Sequence, residues 1–304
     1  MSYYFRADAN GLMLGVWQIR GDIAVRIDVT GAENRSPGTY FQAEPGETIW
    51  ETIRRQASAW FEPDGRCPFH KMNISPGEYY HRMERPTYHH DGVLYSPSVQ
   101  HNENTIAIGR GQLTALTRHL DRICQTVQPT KEMLGTFGHD IRNLLILACT
   151  EAEAHWHNVL VANGCDPIGK YYDTKDYVKL CPVMRLNEYA IVFPNYPWLE
   201  PFAPYRGWKS DKPTQSLKWY AAYNAVKHDR ETKFDLATLF HTFEAVSACL
   251  IMMIAQFGSD KGLCESLELS TFVTLLTKPN WPLSSHYCFP YNKTGWSPVN
   301  FPFD

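Results

Sequence analysis

Apolar positions recur at helical spacing through the middle of the chain and in short alternating runs near its start. Leu113, Leu116, Leu120, Ile123 and Val127, with His119 in the same stripe, predict a helix from about Gly109 that Pro129 closes. Thr130 can cap the next segment, whose stripe of Met133, Leu134, Phe137, Ile141, Leu144, Leu145 and Ala148 continues to Leu160. Asn163-Gly164 is its stop. Thr214 or Ser216 caps a third helix over Trp219 to Arg230. A fourth runs from Phe234 to Phe257 and is stopped by Gly258. Its part from Ala245 to Phe257 is apolar nearly all round, which predicts a buried core helix. Ser247 and Gln256 interrupt that run, and it is too short to span a bilayer.

The first hundred residues read differently. Leu12–Ile19 and Ile23–Val29, rich in β-branched and aromatic residues around Arg20-Gly21-Asp22, predict a β-hairpin. Glu44-Pro45-Gly46 is a break, and Ile49, Trp50, Ile53, Ala57 and Trp60 form the stripe of a helix from Glu47 to Trp60. Residues 61–104 predict a long ordered loop with one short strand at Val93–Tyr95. Residues 165–213 are again loop-rich, with a short helix near Asp176–Leu180 and an extended stretch over Arg185–Phe193. Phe272–Leu276 reads as a short strand. The expected fold class is mainly α: a helical bundle over 105–258, an N-terminal α+β extension over 1–104, and a coil-rich tail over 259–304 packing on the bundle.

Composition narrows the class. The 304 residues are 44% hydrophobic and 20% charged, as in a globular protein with a sizeable core. With a net charge of −3, nucleic acid has to be met by a local basic patch. The eight cysteines contain no Cys-x-x-Cys pair and read as reduced thiols. The first residues have no basic start followed by an apolar run. A cytoplasmic protein without a membrane span, metal or cofactor is expected.

The most chemically loaded stretch is Trp219-Tyr220-Ala221-Ala222-Tyr223-Asn224-Ala225-Val226-Lys227-His228-Asp229-Arg230. On a helix Tyr220, Asn224 and His228 share one face, and Trp219, Tyr223 and Lys227 form the stripe beside it. Asn donates and accepts, His moves a proton near neutral pH, and Lys227 and Arg230 hold negative charge, so this face can meet a phosphate. The plain alternative is an Asn and a His that cap or bond buried backbone groups.

Four helices in this order, with Asn224-x-x-x-His228 opening the penultimate one, resemble the HEPN superfamily of helical RNA- and nucleotide-binding domains. The resemblance covers about residues 105–258 and rests on Arg142-Asn143-Leu144-Leu145-Ile146-Leu147-Ala148-Cys149-Thr150-Glu151-Ala152-Glu153 and on Tyr223 to His228. It implies a metal-independent ribonuclease in bacterial stress or phage defence, working as a homodimer. His228 and Asn224 would be catalytic, the first moving the proton of a ribose 2′-hydroxyl or leaving oxygen and the second orienting the phosphate. Lys227, Arg230, Tyr223 and Arg142 would line the RNA or nucleotide. Tyr223 stands where the family carries Arg, which sets a non-catalytic RNA-binding or dimerising module beside the enzyme.

Other constellations are thinner. Gly138-His139-Asp140-Ile141-Arg142-Asn143 is similar to the phosphoacceptor box of sensor histidine kinases, but no Gly-rich ATP-binding segment follows. His139-Asp140 with His119 resembles the helical HD phosphohydrolases without their full ligand set. Cys67, His70, His81, His89 and His90 have metal-ligand chemistry in a loop of loose spacing. Glu151 and Glu153, two apart on a helix, do not share a face; Glu151 is expected to turn inward to a buried cation or hydroxyl.

Overall fold

A computed structural model describes residues 1–29, 35–61, 66–89, 96–289 and 295–303, with His89, Gln100 and Arg230 as backbone only. The expectation of a mainly α fold is overturned. The chain is 46% helix and 16% strand, with several small sheets that include one of five antiparallel strands, so the fold is α+β. Strands of three to eight residues build that sheet, and two of its edges come from segments whose periodicity is too short to register in the sequence.

The chain divides into two compact units: residues 1–79, 85–97 and 280–299 form the first, and residues 80–84, 98–279 and 300–304 the second. The segment 259–304 is thus shared between the two.

In the first unit, β1 (Ser2–Ala7), β2 (Met13–Arg20), β3 (Ile23–Arg26), β4 (Tyr40–Gln42) and β5 (Phe69–Lys71) pair in the order β4-β3-β2-β1-β5. The hairpin of β2 and β3 lies where the alternation placed it. One face carries Trp17, Ile19, Ala24, Phe41 and Phe69 and is covered by Ile49 and Ile53 of α1 (Ile49–Gln56). The other face buries Phe5 and Val16 with Met72 and Cys288. Thr48 starts α1 with a capping box: Thr48 Oγ1 accepts from Glu51 N at 3.3 Å, and Thr48 N donates to Glu51 at 2.7 Å. The helix ends at Gln56, short of the predicted Trp60, because Ala57 leaves helical dihedrals and a separate turn carries Ser58–Trp60. Thr87–His89 pairs in parallel with Tyr287–Phe289. The strand expected at Val93–Tyr95, and His90, lie outside the described residues.

The second unit is built on α2 (Glu103–Thr126), α3 (His139–Ala162), α4 (Lys218–His228) and α5 (Leu239–Ser259). Helices α3 and α5 run parallel in constant register. Thr242 Oγ1 donates to the Ile141 carbonyl at 3.2 Å, Cys249 Sγ to the Ala148 carbonyl at 3.0 Å, and Gln256 Nε2 meets His155 Nδ1 at 3.0 Å. Each step is seven residues on both helices (141, 148, 155 against 242, 249, 256), close to two helical turns. The same face therefore returns to the same partner along the whole contact.

Helix α5 is buried from Ala245 to Phe257 without a break. Thr238 caps it by accepting from His241 N at 3.3 Å, so Phe234–Leu236 forms a separate turn and not the first turn of α5. Gly258, at φ +82, interrupts its far end. Among the described residues one helical stretch, Leu239–Cys264, is long and apolar enough to cross a membrane; 83% of its most apolar window is buried inside the protein. A second apolar centre is Trp156 of α3, whose ring lies 5.0–6.2 Å from those of Tyr177, Tyr205, Trp208, Trp219 and Tyr220. Trp156 Nε1 donates to Tyr205, and Tyr205 donates on to the Ala248 carbonyl, so the buried polar atoms in this cluster are used.

Candidate functional site

The amphipathicity of α4 decides what it offers. Trp219, Tyr220, Ala222, Tyr223 and Val226 are buried, which turns Asn224 half outward and leaves Lys227 and His228 exposed. The aromatic residues hold this orientation. Trp219 Nε1 donates to the Pro204 carbonyl at 3.1 Å, and Tyr220 packs on Trp156 of α3.

Two pairs of polar contacts shape the edge where α4 meets α3. Tyr220 donates its hydroxyl to Glu153 Oε1 at 2.5 Å. Burial first, and then that carboxylate, push the Tyr220 hydroxyl far above its ordinary range, so it stays protonated and remains the donor. One turn further on, Lys227 Nζ donates to the Tyr223 hydroxyl at 2.9 Å and sits 5.0 Å from the centre of the same ring. This hydrogen bond raises the Lys227 pKa, against the opposing effect of burial. Lys227 and His228 also occupy the last turn of α4, where positive charge complements the helix dipole.

The side chains of Asn224 and His228 make no hydrogen bond to any described residue. They share a helix face one turn apart, beside Lys227, as the spacing predicted. Tyr223 is 2% exposed, and its hydroxyl accepts from Lys227. Arg142 lies about 10 Å along α3 from Cys149 by helical rise. It is joined to Asn143 at 3.4 Å, and its Nε is buried with no hydrogen-bond partner. No hydrogen bond or ion pair links it to Asn224, Lys227 or His228. The Arg230 side chain lies outside the described residues, and its backbone sits in a short helix that Asp229 caps. Sequence reasoning therefore placed Asn224, Lys227 and His228 together and missed Glu153 and Tyr220 as the bond across to α3. The spacing of Tyr223 and Lys227 could have shown their pairing; nothing in the sequence pairs Tyr220 with Glu153.

The other constellations are placed as follows. Glu151 turns toward His155, Oε1 to Nε2 at 3.5 Å, and the far side of that ring meets Gln256, which accepts from Arg82 Nε at 2.7 Å. Burial pushes the His155 pKa down to about 3, with the Arg82 charge adding to it, so this ring is neutral. Glu151 thus faces a buried neutral imidazole. His139 lies with its ring 5.0 Å from Phe234, and His119 Nε2 is buried without a hydrogen bond. Among the described residues no three His, Cys, Asp or Glu side chains converge as a metal site would require. The eight cysteines are all free thiols.

Comparison of the chain with protein-family models, with curated proteins and with solved structures gives no match.

Proposed function

We propose that this chain is a HEPN-like, RNA-directed protein whose second unit binds RNA or a nucleotide along the exposed edge of α4 and does not cleave it. The observation that carries this reading is the division of labour on that helix. Tyr223 is sealed in the core at the place of the family Arg, while Asn224, Lys227 and His228 stand outward on one edge. Lys227 supplies the positive charge for a phosphodiester, Asn224 donates and accepts, and His228 adds a donor. Pairing of two copies, as the resemblance implies, would double this edge, and a cytoplasmic setting agrees with free thiols.

A ribonuclease reading is favoured by one observation: His228 is exposed and uncommitted, so a ribose 2′-hydroxyl can reach it. Against it, no carboxylate or backbone group among the described residues orients that ring, and Tyr223 leaves the adjacent cationic position empty of charge. Fluorescence anisotropy with a labelled single-stranded RNA, run beside a gel assay for its cleavage, separates the two. Binding without cleavage, weakened in Lys227→Ala, supports the module. Cleavage lost in His228→Ala supports the enzyme. No RNA binding at low salt would end both.

A further inference from the structure

The sheet of the first unit gathers two arginines over one glycine. In the pairing of β1 with β2, Arg6 lies opposite Gly15, and the register slips at that point so that Ala7 pairs with Met13 and Leu14 is the extra residue. A bulge re-aims the side chains beside it. In the pairing of β2 with β3, Trp17 lies opposite Arg26, so Arg6, Gly15, Trp17 and Arg26 share one face of the sheet. The Arg26 side chain crosses the strand through the space Gly15 leaves: a Cβ there would stand 2.8 Å from Arg26 Nε. Only a residue without a side chain lets that guanidinium lie toward β1 and Arg6.

The charges around this point do not balance. Arg26 is engaged by Asp28, Nε to Oδ1 at 2.8 Å and Nη2 to Oδ2 at 3.2 Å, and Tyr88 donates to the same carboxylate at 3.1 Å. Asp28 is 1% exposed, and both its oxygens are engaged by these contacts. The Arg6 side chain has no hydrogen bond and no ion pair to any described residue. Its guanidinium is half-buried and stacks on Trp60, 3.9 Å from the ring centroid. Burial, and then the neighbouring Arg26, work against its charge. Among the described residues, two guanidiniums against one carboxylate leave one positive charge over, held in place by an aromatic face and with its hydrogen-bonding edge unused. A half-buried cation left without a partner is costly unless something is there to answer it.

We propose that Arg6 and Arg26 form an oxyanion-binding site on the first unit, for the phosphate or carboxylate group of a small ligand. Trp60 holds the Arg6 plane so that its edge faces the anion. A guanidinium presents paired N–H donors at the spacing of two oxygens, which suits both groups. Asp28 with Tyr88 fixes Arg26 beside the space, where its charge adds to that of Arg6, and a single anion answers the charge left over. This site is separate from the edge of α4 and does not depend on the RNA reading.

The test is calorimetric titration of the full chain with inorganic phosphate and, in a second arm, with acetate, at low ionic strength. The wild type is expected to bind at least one of them saturably, with a Kd on the order of 1 mM. Preference for one anion tells a phosphorylated ligand from a carboxylate. Arg6→Gln should weaken binding at least about tenfold, the loss of a charge-assisted pair. Should Arg6→Gln fail to fold by circular dichroism, Arg6→Lys, which keeps the charge and loses the fork, is expected to weaken binding severalfold. Arg55→Gln, which breaks an exposed contact to Glu44 and Glu47, should leave the titration unchanged. No saturable uptake of either anion by the wild type overturns the proposal, and so does binding that survives undiminished in the folded Arg6 variants.

Discussion

Lys227 Nζ sits 2.9 Å from the hydroxyl of Tyr223, one helical turn away, and this bond joins an exposed cation to a buried ring. It anchors the stem of Lys227 along α4 while leaving its other two N–H donors for solvent or ligand. The same ring fills the position where a ribonuclease of the resembled family would carry Arg.

Tyr223→Arg tests whether that position can hold charge. The site is 2% exposed, and no carboxylate is hydrogen-bonded there. An arginine would be a buried cation next to Lys227, so the variant should lose about 3 kcal/mol or more of stability and gain no nuclease activity. Urea unfolding and the RNA gel assay read both effects. A stable Tyr223→Arg protein that cleaves RNA would show that the tyrosine is all that keeps an enzyme silent.

His228→Ala should leave the melting temperature within about 1 °C, because an exposed ring without partners contributes little to packing or hydrogen bonding. RNA affinity should fall severalfold. A marked drop in melting temperature would mean that the ring is structural after all.

Ile251→Asp should destabilise the second unit by about 3–5 kcal/mol, the cost of a buried charge with nothing to pair it. Ile251 is fully buried in α5. Thermal unfolding checks this, and a normally melting variant would place that helix elsewhere.

The pH dependence of stability should carry the signature of His155. Its pKa is about 3 in the folded chain and about 6.5 when unfolded, so on acidification the unfolded state takes up a proton that the folded state refuses. This group therefore contributes stability above pH 6.5 that is lost progressively as the pH falls toward 3. Glu244 opposes it, since burial raises its pKa to about 7 and the folded state holds its proton more tightly over about pH 4.5–7. The wild-type slope is the difference of the two. His155→Gln should reduce the loss of stability on acidification, and Glu244→Gln should make it steeper. Urea unfolding at pH 5 and pH 7 measures both, and parallel slopes in all three proteins would exclude the assignment.

Long apolar periodicity was legible without a structure. The stripe of α2, the stripe of α3 from Ile141 onward, the stop at Asn163-Gly164, the all-round burial of Ala245–Phe257 and the shared face of Asn224 and His228 all follow from residues three and four apart, which one helix brings together by itself; Met133, Leu134 and Phe137, expected in the same stripe, lie before α3, with Met133 in a separate turn. The β2–β3 hairpin was legible for the same reason, its strands being neighbours in the chain. What the tertiary structure decided are the relationships with no local period. The five-stranded sheet joins β1 to β5 across more than sixty residues, and α3 meets α5 at an offset of one hundred and one. Tyr220 finds Glu153 through that packing, and Arg26 reaches toward Arg6 through the space at Gly15. The balance between helix and sheet, and with it the α+β class, depends on such pairings: a three-residue strand has almost no pattern of its own and becomes a strand when a distant partner satisfies its backbone.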